Sequence, residues 1–584
     1  MNKFFRRGLS RQAFSLITLL LGALVFIAYL SDSLAYYGIS SVGGHIDLRN
    51  AQTVKGLEDT NLEQKCDLYM STLWAHSTSL FNSRQNHLDP YMRMSQIRNF
   101  VQHLRIFSKC FTDTYLFENF DHARELEKLL YPMYTQWLPV YVKWDSIFKN
   151  YTREDYYKSH AGACVIEQEE TKCYGQKKKS FLAQLRHDMR GAGIAISAGD
   201  KQVDNLIRLI RVLRYLENDL PIQIVHKGDL SFNSQAEIVY ESRAQLWLRD
   251  DLYLNKSKQN VFFVDASRSL NKEWASKFQE FSNKWVATLF NSFDDMILMD
   301  VDTVPFIQPV EFLGLKGYNK TQALFFQDRS LPETLSRSAI DFYKSLLPSQ
   351  MEHHLFNIAN TTSVTLENVF FTEFRRHIME SGVVLMRRSK YLVGLFVSSR
   401  LQMWVNTNQP VWGDKDLFWL GQSIVGNEQY TFNRNNAAAI GTLKDDGVTQ
   451  YICSIQPAQF DDENRLLWLN GGLRFCKLDT WKEDFKNFSF LRKKFKGVDA
   501  LCNYYKTTLK VDAAILTKER LDASSALKSK NKLSYGWYKN EMMGCQGYVW
   551  CARLNPLNAN EELKLFDSKE ITNVNSIAKV WNSL

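Results

Sequence analysis

The chain has 584 residues, more than one average domain needs, and 45% of them are apolar, which is ample for a large core and excludes a disordered chain. Its net charge is +9, but the basic residues are dispersed. The one short run, Lys177-Lys178-Lys179, reads as a solvated loop, so charge offers no nucleic-acid surface.

Lys3, Arg6, Arg7 and Arg11 precede an uncharged run from Ala13 to Leu30. That run approaches the ~20 residues that span a bilayer. It exceeds the ~7–15-residue apolar stretch of a signal peptide. Basic flanks stay in the cytoplasm. The pattern therefore predicts a cytoplasmic tail over 1–12, a transmembrane signal-anchor over 13–30 and a luminal remainder. A signal peptide cleaved at Ser33-Leu34-Ala35 is the competing reading. Residues 31–60 are polar, carry Gly43-Gly44 and read as a stem. All nine cysteines come later, from Cys66 to Cys551, and a luminal compartment favours disulfides. Cys164 with Cys173 and Cys545 with Cys551 are the expected short-range pairs, and an odd count leaves one thiol over. Asn150, Asn255, Asn319, Asn360 and Asn487 each begin an Asn-x-Ser/Thr sequon.

From 61 to 175, residues such as Trp74, Leu80, Leu104, Phe107, Leu129 and Leu130 recur at helical spacing, which predicts a helical region. From 176 to 500 the pattern becomes α/β. Gly193 to Gly199 reads as a short apolar strand, with Asp200 as the N-cap of the next helix. On that helix Val203, Leu206, Ile207, Ile210 and Leu213 share one face, and Arg208, Arg211 and Arg214 share a solvated one. The Gly-x-Gly-x-x-Gly dinucleotide pattern is not in its usual place. Pro221 to His226 and Val261 to Asp265 are the next strands. A helix from about Lys272 to Ser292 then carries Phe278, Phe281, Trp285 and Leu289 on one side. Strands alternating with helices predict a mostly parallel sheet.

The fourth strand, Met296 to Met299, is wholly apolar and stops at Asp300-Val301-Asp302. Strand periodicity would point both carboxylates the same way. The carboxyl ends of parallel strands are where open α/β sheets bind ligands. Two adjacent carboxylates repel unless a cation joins them, and hard oxygen donors suit Mg²⁺ or Mn²⁺. Downstream, Glu380-Ser381-Gly382 enters another buried strand, and Gly413-Asp414-Lys415-Asp416 opens a helix. Asp414 has a plain alternative reading as that helix's N-cap. Residues 501–584 carry no motif and read as a C-terminal extension.

In order, Gly193-Ile-Ala-Ile with Ala198-Gly199, Ser292-Phe293, Asp300-Val-Asp302, Phe326-Gln-Asp-Arg329, Glu380-Ser-Gly382, Gly413 to Trp419, Cys453 to Gln456 and Leu467 to Gly472 with Cys476-Lys477 resemble the fungal Golgi α-1,3-mannosyltransferases, glycosyltransferase family 71. The resemblance covers residues 185–480. It implies a type II Golgi membrane protein of GT-A fold. It also implies a GDP-mannose donor, a Mn²⁺ or Mg²⁺ ion, and transfer with retention to mannose chains, O-linked or N-linked, of glycoproteins. Under it, Asp300 and Asp302 hold the metal, and Ala198, Gly199, Lys284, Asp300, Ser381 and Gly382 border the donor. Lys284 is a candidate phosphate ligand, weighed against a solvated lysine. Asp414 first, and Asp416 second, would stabilise the oxocarbenium-like transition state. No histidine follows His377, so a further metal ligand would be Asp461, Asp462 or water. Two other readings compete. One is a luminal glycan-binding or scaffold protein without turnover; the other is a transferase of different sugar or linkage.

Overall fold

The structure is a computed structural model, and it describes most of residues 57–75, 91–143 and 164–584. Residues 1–56, 59, 76–90, 114–121, 144–163, 168–169, 174–179, 245, 248–252, 255–257, 332, 517–535, 541–542 and 555–562 are outside the description. The expected tail and anchor, nearly all of the stem, Asn150 and Asn255 therefore lie outside the described residues. Among the described residues no helix is long and apolar enough to cross a membrane.

Eight strands form the main sheet: β1 (Val140–Lys143), β2 (Ala192–Ser197), β3 (Ile222–His226), β4 (Val261–Asp265), β5 (Asp295–Met299), β6 (Ala323–Gln327), β7 (Met379–Arg387) and β8 (Thr431–Asn436). Their spatial order is β1-β4-β3-β2-β5-β7-β6-β8. The four strands expected from sequence, β2 to β5, are mutually parallel where they pair. Strand β7 runs antiparallel to both β5 and β6, and β6 is parallel to β8.

The apolar runs of these strands reflect burial on both faces. Along β5, Met296 and Leu298 enter one core while Ile297 and Met299 enter another. The first core is filled by the helices α1 (Leu62–Ala75), α2 (Met94–Asp113), α3 (Ala123–Leu130), α5 (Asn283–Phe290), α6 (Arg388–Leu401) and α7 (Lys415–Ile424), so the helical region packs directly on the sheet. On the second face lie α4 (Val203–Tyr215) and a six-stranded sheet. That sheet runs in the order Val304–Pro305, Leu466–Leu469, Pro457–Phe460, Ala438–Gly441, Ala513–Ile515, Leu563–Leu565 and is antiparallel throughout.

Several local expectations change in this setting. Arg208 and Arg214 are buried: helix α8 (Ser568–Asn582) covers Arg208, and the end of the helix Phe232–Arg243 covers Arg214. Arg208 donates to the Trp581 carbonyl, Arg214 to the Glu241 and Ala244 carbonyls, and Arg211 pairs with Glu241. The C-terminal segment is thus woven into the domain. Asp200 does not cap its own helix; its carboxylate accepts from Ser231 N and Ser234 Oγ, both at 2.7 Å, at the start of the helix Phe232–Arg243. The helix expected over 272–292 breaks into Lys272–Ala275, a 3-10 turn at Glu280–Ser282, and α5. Phe278, Trp285 and Leu289 are buried, but Phe281 is 61% exposed.

Cys545 pairs with Cys476, and Cys551 with Cys453, its cross-strand neighbour, instead of with each other. Cys66 pairs with Cys110, and Cys502 is a free thiol. Cys164 and Cys173 stand directly opposite in a short antiparallel pair of strands. The described sequon residues Asn319, Asn360 and Asn487 are all exposed.

Candidate active site

Strand β5 ends at Met299, one residue before the acidic motif. Residues 300–303 form a turn closed by Thr303 N donating to Asp300 O at 3.1 Å. Strand alternation therefore does not set the direction of Asp300 and Asp302. The turn is pinned from both sides. Asp300 N and Thr303 Oγ1 both donate to the Gly382 carbonyl at 2.9 Å. Gly471 N and Gly472 N donate to the Asp302 carbonyl at 3.1 and 2.8 Å. Beyond the turn the chain enters the second sheet, with Val304 opposite Leu469. The acidic turn thus sits where the two sheets meet.

Gly382 has a packing role in this arrangement. A Cβ there would come within 2.6 Å of the Trp468 ring, so only glycine lets β7 approach closely enough to hold the turn. Gly471 and Gly472 have φ of +90° and +67°, which non-glycine residues rarely adopt.

Lys284, in the first turn of α5, is 7% exposed, which removes the solvated reading. Its Nζ lies 3.0 Å from the Asp300 carboxylate and 2.9 Å from Asp414 Oδ2. It also donates to Ser381 Oγ at 2.9 Å and to the Ser381 carbonyl at 3.1 Å. Ser381 Oγ in turn donates to Asp414 Oδ2 at 2.8 Å. Asp414 makes no side-chain cap bond to its helix, so the capping reading falls. Four predicted residues from four separate elements, Lys284, Asp300, Ser381 and Asp414, are therefore brought into direct contact.

Asp302 completes the group, 3.4 Å from Lys477 Nζ; both Asp300 and Asp302 are about a quarter exposed, at 28% and 25%. Three carboxylates, Asp300, Asp302 and Asp414, face two ammonium groups, Lys284 and Lys477, an excess of one negative charge when all are ionised. Burial pushes the Asp300 carboxyl up to about 7, with Lys284 pulling it down and Asp302 and Asp414 adding to the rise. Burial disfavours the Lys284 cation, yet Asp300 and Asp414 outweigh burial and hold its pKa above the usual lysine value.

Among the described residues no group of three His, Cys, Asp or Glu side chains could hold a metal. Asp461 is spent elsewhere: its Oδ1 accepts from Glu463 N and Arg465 N, and its Oδ2 pairs with Arg465. It lies before Leu466, whereas the glycines that touch Asp302 come after Leu469, so Asp461 and Asp462 stand at the far end of that strand. Neither is the further ligand. The all-oxygen pair Asp300 and Asp302, with its excess negative charge, does fit a hard divalent cation, which keeps several waters and shares its ligation with substrate phosphates.

Asp416 stands apart from this group. Its carboxylate is fully buried and accepts from His377 N, Ile378 N, Met379 N and Trp419 Nε1 at 2.8–3.1 Å. Burial raises its pKa, opposed by His377 and these donors. With both oxygens occupied it positions the start of β7 and does not face the cleft. A second ion cluster on the other side of β7 was not foreseen. Lys415 Nζ bridges Asp328 Oδ2 and Glu380 Oε2, each at 2.6 Å, and Asn470 Nδ2 donates to Glu380 Oε1 at 2.8 Å. Its only signal in the sequence is that all four residues fall within the ordered motifs.

Ala198 and Gly199 come directly after β2, whose Ile196 is opposite Met299, so they share the carboxyl edge of the sheet with the acidic turn. Ala198 is buried. A Cβ on Gly199 would lie 3.1 Å from the Asp229 carboxylate, which packs against it.

Residues 191–461 match the family model described as "Mannosyltransferase putative". An α-1,3-mannosyltransferase of Saccharomyces cerevisiae, MNT2, is 32% identical over 67% of this chain and 68% of its own. MNT3 of the same yeast is 29% identical over 69% and 65%. MNN1 of Candida albicans is 32% identical over 73% of this chain, which spans 57% of that relative. Among solved structures, the mannosyltransferase Ktr4p of S. cerevisiae in complex with GDP aligns at TM-score 0.26 and 10% identity, covering 42% of this chain and 70% of that one. With 32% identity to MNT2 across two thirds of both chains, the protein belongs to the α-1,3-mannosyltransferase family.

Proposed function

We propose that the protein transfers mannose from GDP-mannose, with retention and in α-1,3 linkage, to mannose chains of glycoproteins in the Golgi lumen. The observation that carries this reading is the acidic turn Asp300-Val301-Asp302, pinned at the carboxyl end of parallel strands beside the Lys284–Asp414 pair. Family membership supports the sugar and the linkage. The three disulfides among the described residues support an oxidising compartment. The sequence of residues 1–30 supports a type II anchor.

In this GT-A-like reading Asp300 and Asp302 would hold Mn²⁺ or Mg²⁺. When bound, such a cation neutralises charge on the departing nucleotide. Lys284 fixes Asp300 and Asp414 in one orientation, so neither has to reorganise as charge develops. The contacts of Ser381 and Lys284 to Asp414 fall on Oδ2, and Oδ1 is the oxygen assigned here to stabilise positive charge at the anomeric carbon of the donor sugar. Lys477, beside Asp302 and 34% exposed, is the cation assigned here to a phosphate oxygen. Incubation of the luminal part with a panel of nucleotide sugars and oligomannose acceptors, then linkage mapping of the product, tests the assignment. Product from GDP-mannose alone, as an α-1,3 linkage, is expected. Preference for another nucleotide sugar would overturn the donor.

A further inference from the structure

Two exposed aromatic residues flank the ion cluster. Trp412 is two residues before Asp414 and is 60% exposed. Phe281 is three residues before Lys284 and is 61% exposed. Because Lys284 and Asp414 are in contact, the two aromatic segments are drawn together: a Cβ on Gly413 would lie 3.6 Å from the Phe281 ring. They line a common open cavity of about 850 Å³, whose wall also carries Gln279, Arg376, Asn408 and Gln409. That volume falls within the ~300–1,000 Å³ of ligand pockets.

The exposure of Trp412 is not that of a loose loop. Its φ is +50°, and Glu280, just before Phe281, has φ +47°; both are left-handed conformations that residues with a Cβ seldom adopt. Such strain persists where surrounding structure enforces it, and it clusters at functional sites. Here the enforcement is visible. The Arg376 guanidinium stacks 3.9 Å from the Trp412 ring, and the His377 ring meets it edge-on at 5.8 Å. Arg376 is itself held by Glu333 at 3.3 Å and by the Pro410 carbonyl at 3.2 Å. His377 pairs with the same Glu333 at 3.3 Å. A braced indole that still shows most of its surface to solvent, ringed by amide side chains, is suited to a ligand with one apolar C–H face and many hydroxyls. A pyranose has both.

We infer that Trp412 and Phe281 form the platform that binds the acceptor, a mannosyl residue at the end of a glycan, and delivers its hydroxyl toward Asp414 and the donor. This rests on the transferase reading above. The apolar sugar face stacks on Trp412, and Gln279, Asn408 and Gln409 supply donors and acceptors for its hydroxyls.

The test uses Trp412→Ala, Trp412→Phe and Phe281→Ala in the intact luminal protein, with α-linked oligomannose as acceptor. Steady-state kinetics should show acceptor KM raised roughly tenfold in each alanine variant, with donor KM unmoved and Trp412→Phe partly restoring acceptor affinity. Saturation-transfer NMR of the oligomannose against the protein should show binding in the wild type that both alanine variants weaken. Unchanged acceptor KM in an active Phe281→Ala or Trp412→Ala protein overturns the platform. If Trp412→Ala fails to fold, Phe281→Ala decides alone. If the wild type transfers nothing yet binds oligomannose in a Trp412-dependent way, the transferase reading falls and the platform stands. Absence of binding in the wild type removes the platform.

Discussion

Asp414→Asn separates a catalytic carboxylate from a structural one. In the native site Asp414 Oδ2 accepts from Ser381 Oγ at 2.8 Å and contacts Lys284 Nζ at 2.9 Å. An asparagine carbonyl keeps the shape and can accept both bonds. Lys284 also retains Asp300 at 3.0 Å and two contacts to Ser381, so it is not left as a buried, unpaired cation. The folding cost is therefore that of weakening one charge-assisted contact, about 1–2 kcal/mol, and not the ~3–5 kcal/mol of breaking a buried pair outright. Melting should fall by a few degrees at most. Turnover should respond differently. Loss of a preorganised charge beside the reacting centre costs about 10²–10³-fold in kcat, or ~2.7–4 kcal/mol. The assay is kcat for mannose transfer at saturating donor and acceptor, beside thermal unfolding of the same preparation. A kcat within about threefold of wild type, in a protein of near-native stability, would refute the role given to Asp414.

The remaining predictions concern neighbouring groups. Asp416→Asn should show the opposite balance, since its carboxylate serves four N–H donors and an amide can accept at only one oxygen; melting temperature should drop clearly, and a stable, fully active variant would contradict its positioning role. Lys415→Met leaves Glu380 buried without its countercharge and Asp328 with only the longer 3.5 Å contact to Arg329 among the described ion pairs, which should cost ~3–5 kcal/mol and appear as poor folded yield, with denaturant unfolding as the check. Glu127 accepts from Ser180 Oγ, Phe181 N and Leu182 N at the start of the helix Phe181–Asp188, and burial raises its pKa to about 7. Its folded form thus holds a proton that the unfolded chain releases near 4.5, so its contribution to stability is fully present below that pH and is lost as pH rises through about 7. Melting temperatures from pH 4 to 8 should therefore fall less steeply in Glu127→Gln than in the wild type; identical slopes would contradict this.

The parts of the fold that were legible in the sequence are those fixed by local pattern. Strands β2 to β5 announce themselves as short apolar runs because both faces of each are buried, and that burial is visible without knowing what covers them. The acidic turn was legible as a motif, though its geometry was not: strand periodicity stops at Met299, and the Gly382 carbonyl and the Gly471 and Gly472 N–H donors shape residues 300–303. Features that depend on distant partners could not be read locally. The arginine face of α4 looks solvated until Trp581 and Ser583 arrive from the far end of the chain. Asp414 and Asp416 are equally acidic and two residues apart, yet one meets Lys284 and the other meets the backbone of 377–379, a distinction set by how α7 packs on β7. The disulfides of Cys545 and Cys551 bridge 69 and 98 residues in sequence, so for these two the neighbouring cysteine was the wrong partner.

In the proposed reaction Asp300 and Asp302 would hold a divalent cation that would supply charge neutralisation at the donor diphosphate. Asp302 is the member of the pair to change, because among the described residues its side chain has only a 3.4 Å contact to Lys477, whereas Asp300 is tied to Lys284 at 3.0 Å, so loss of the Asp302 side chain should leave the fold intact. The measurement is linkage-mapped mannose transfer from GDP-mannose to an oligomannose acceptor, by wild type and Asp302→Ala, across a Mn²⁺ titration. The wild type should give α-1,3-linked product that rises with Mn²⁺, and the folded variant should give none at any concentration, a loss of several kcal/mol of transition-state stabilisation. Metal-independent transfer, or equal product from Asp302→Ala, would contradict it.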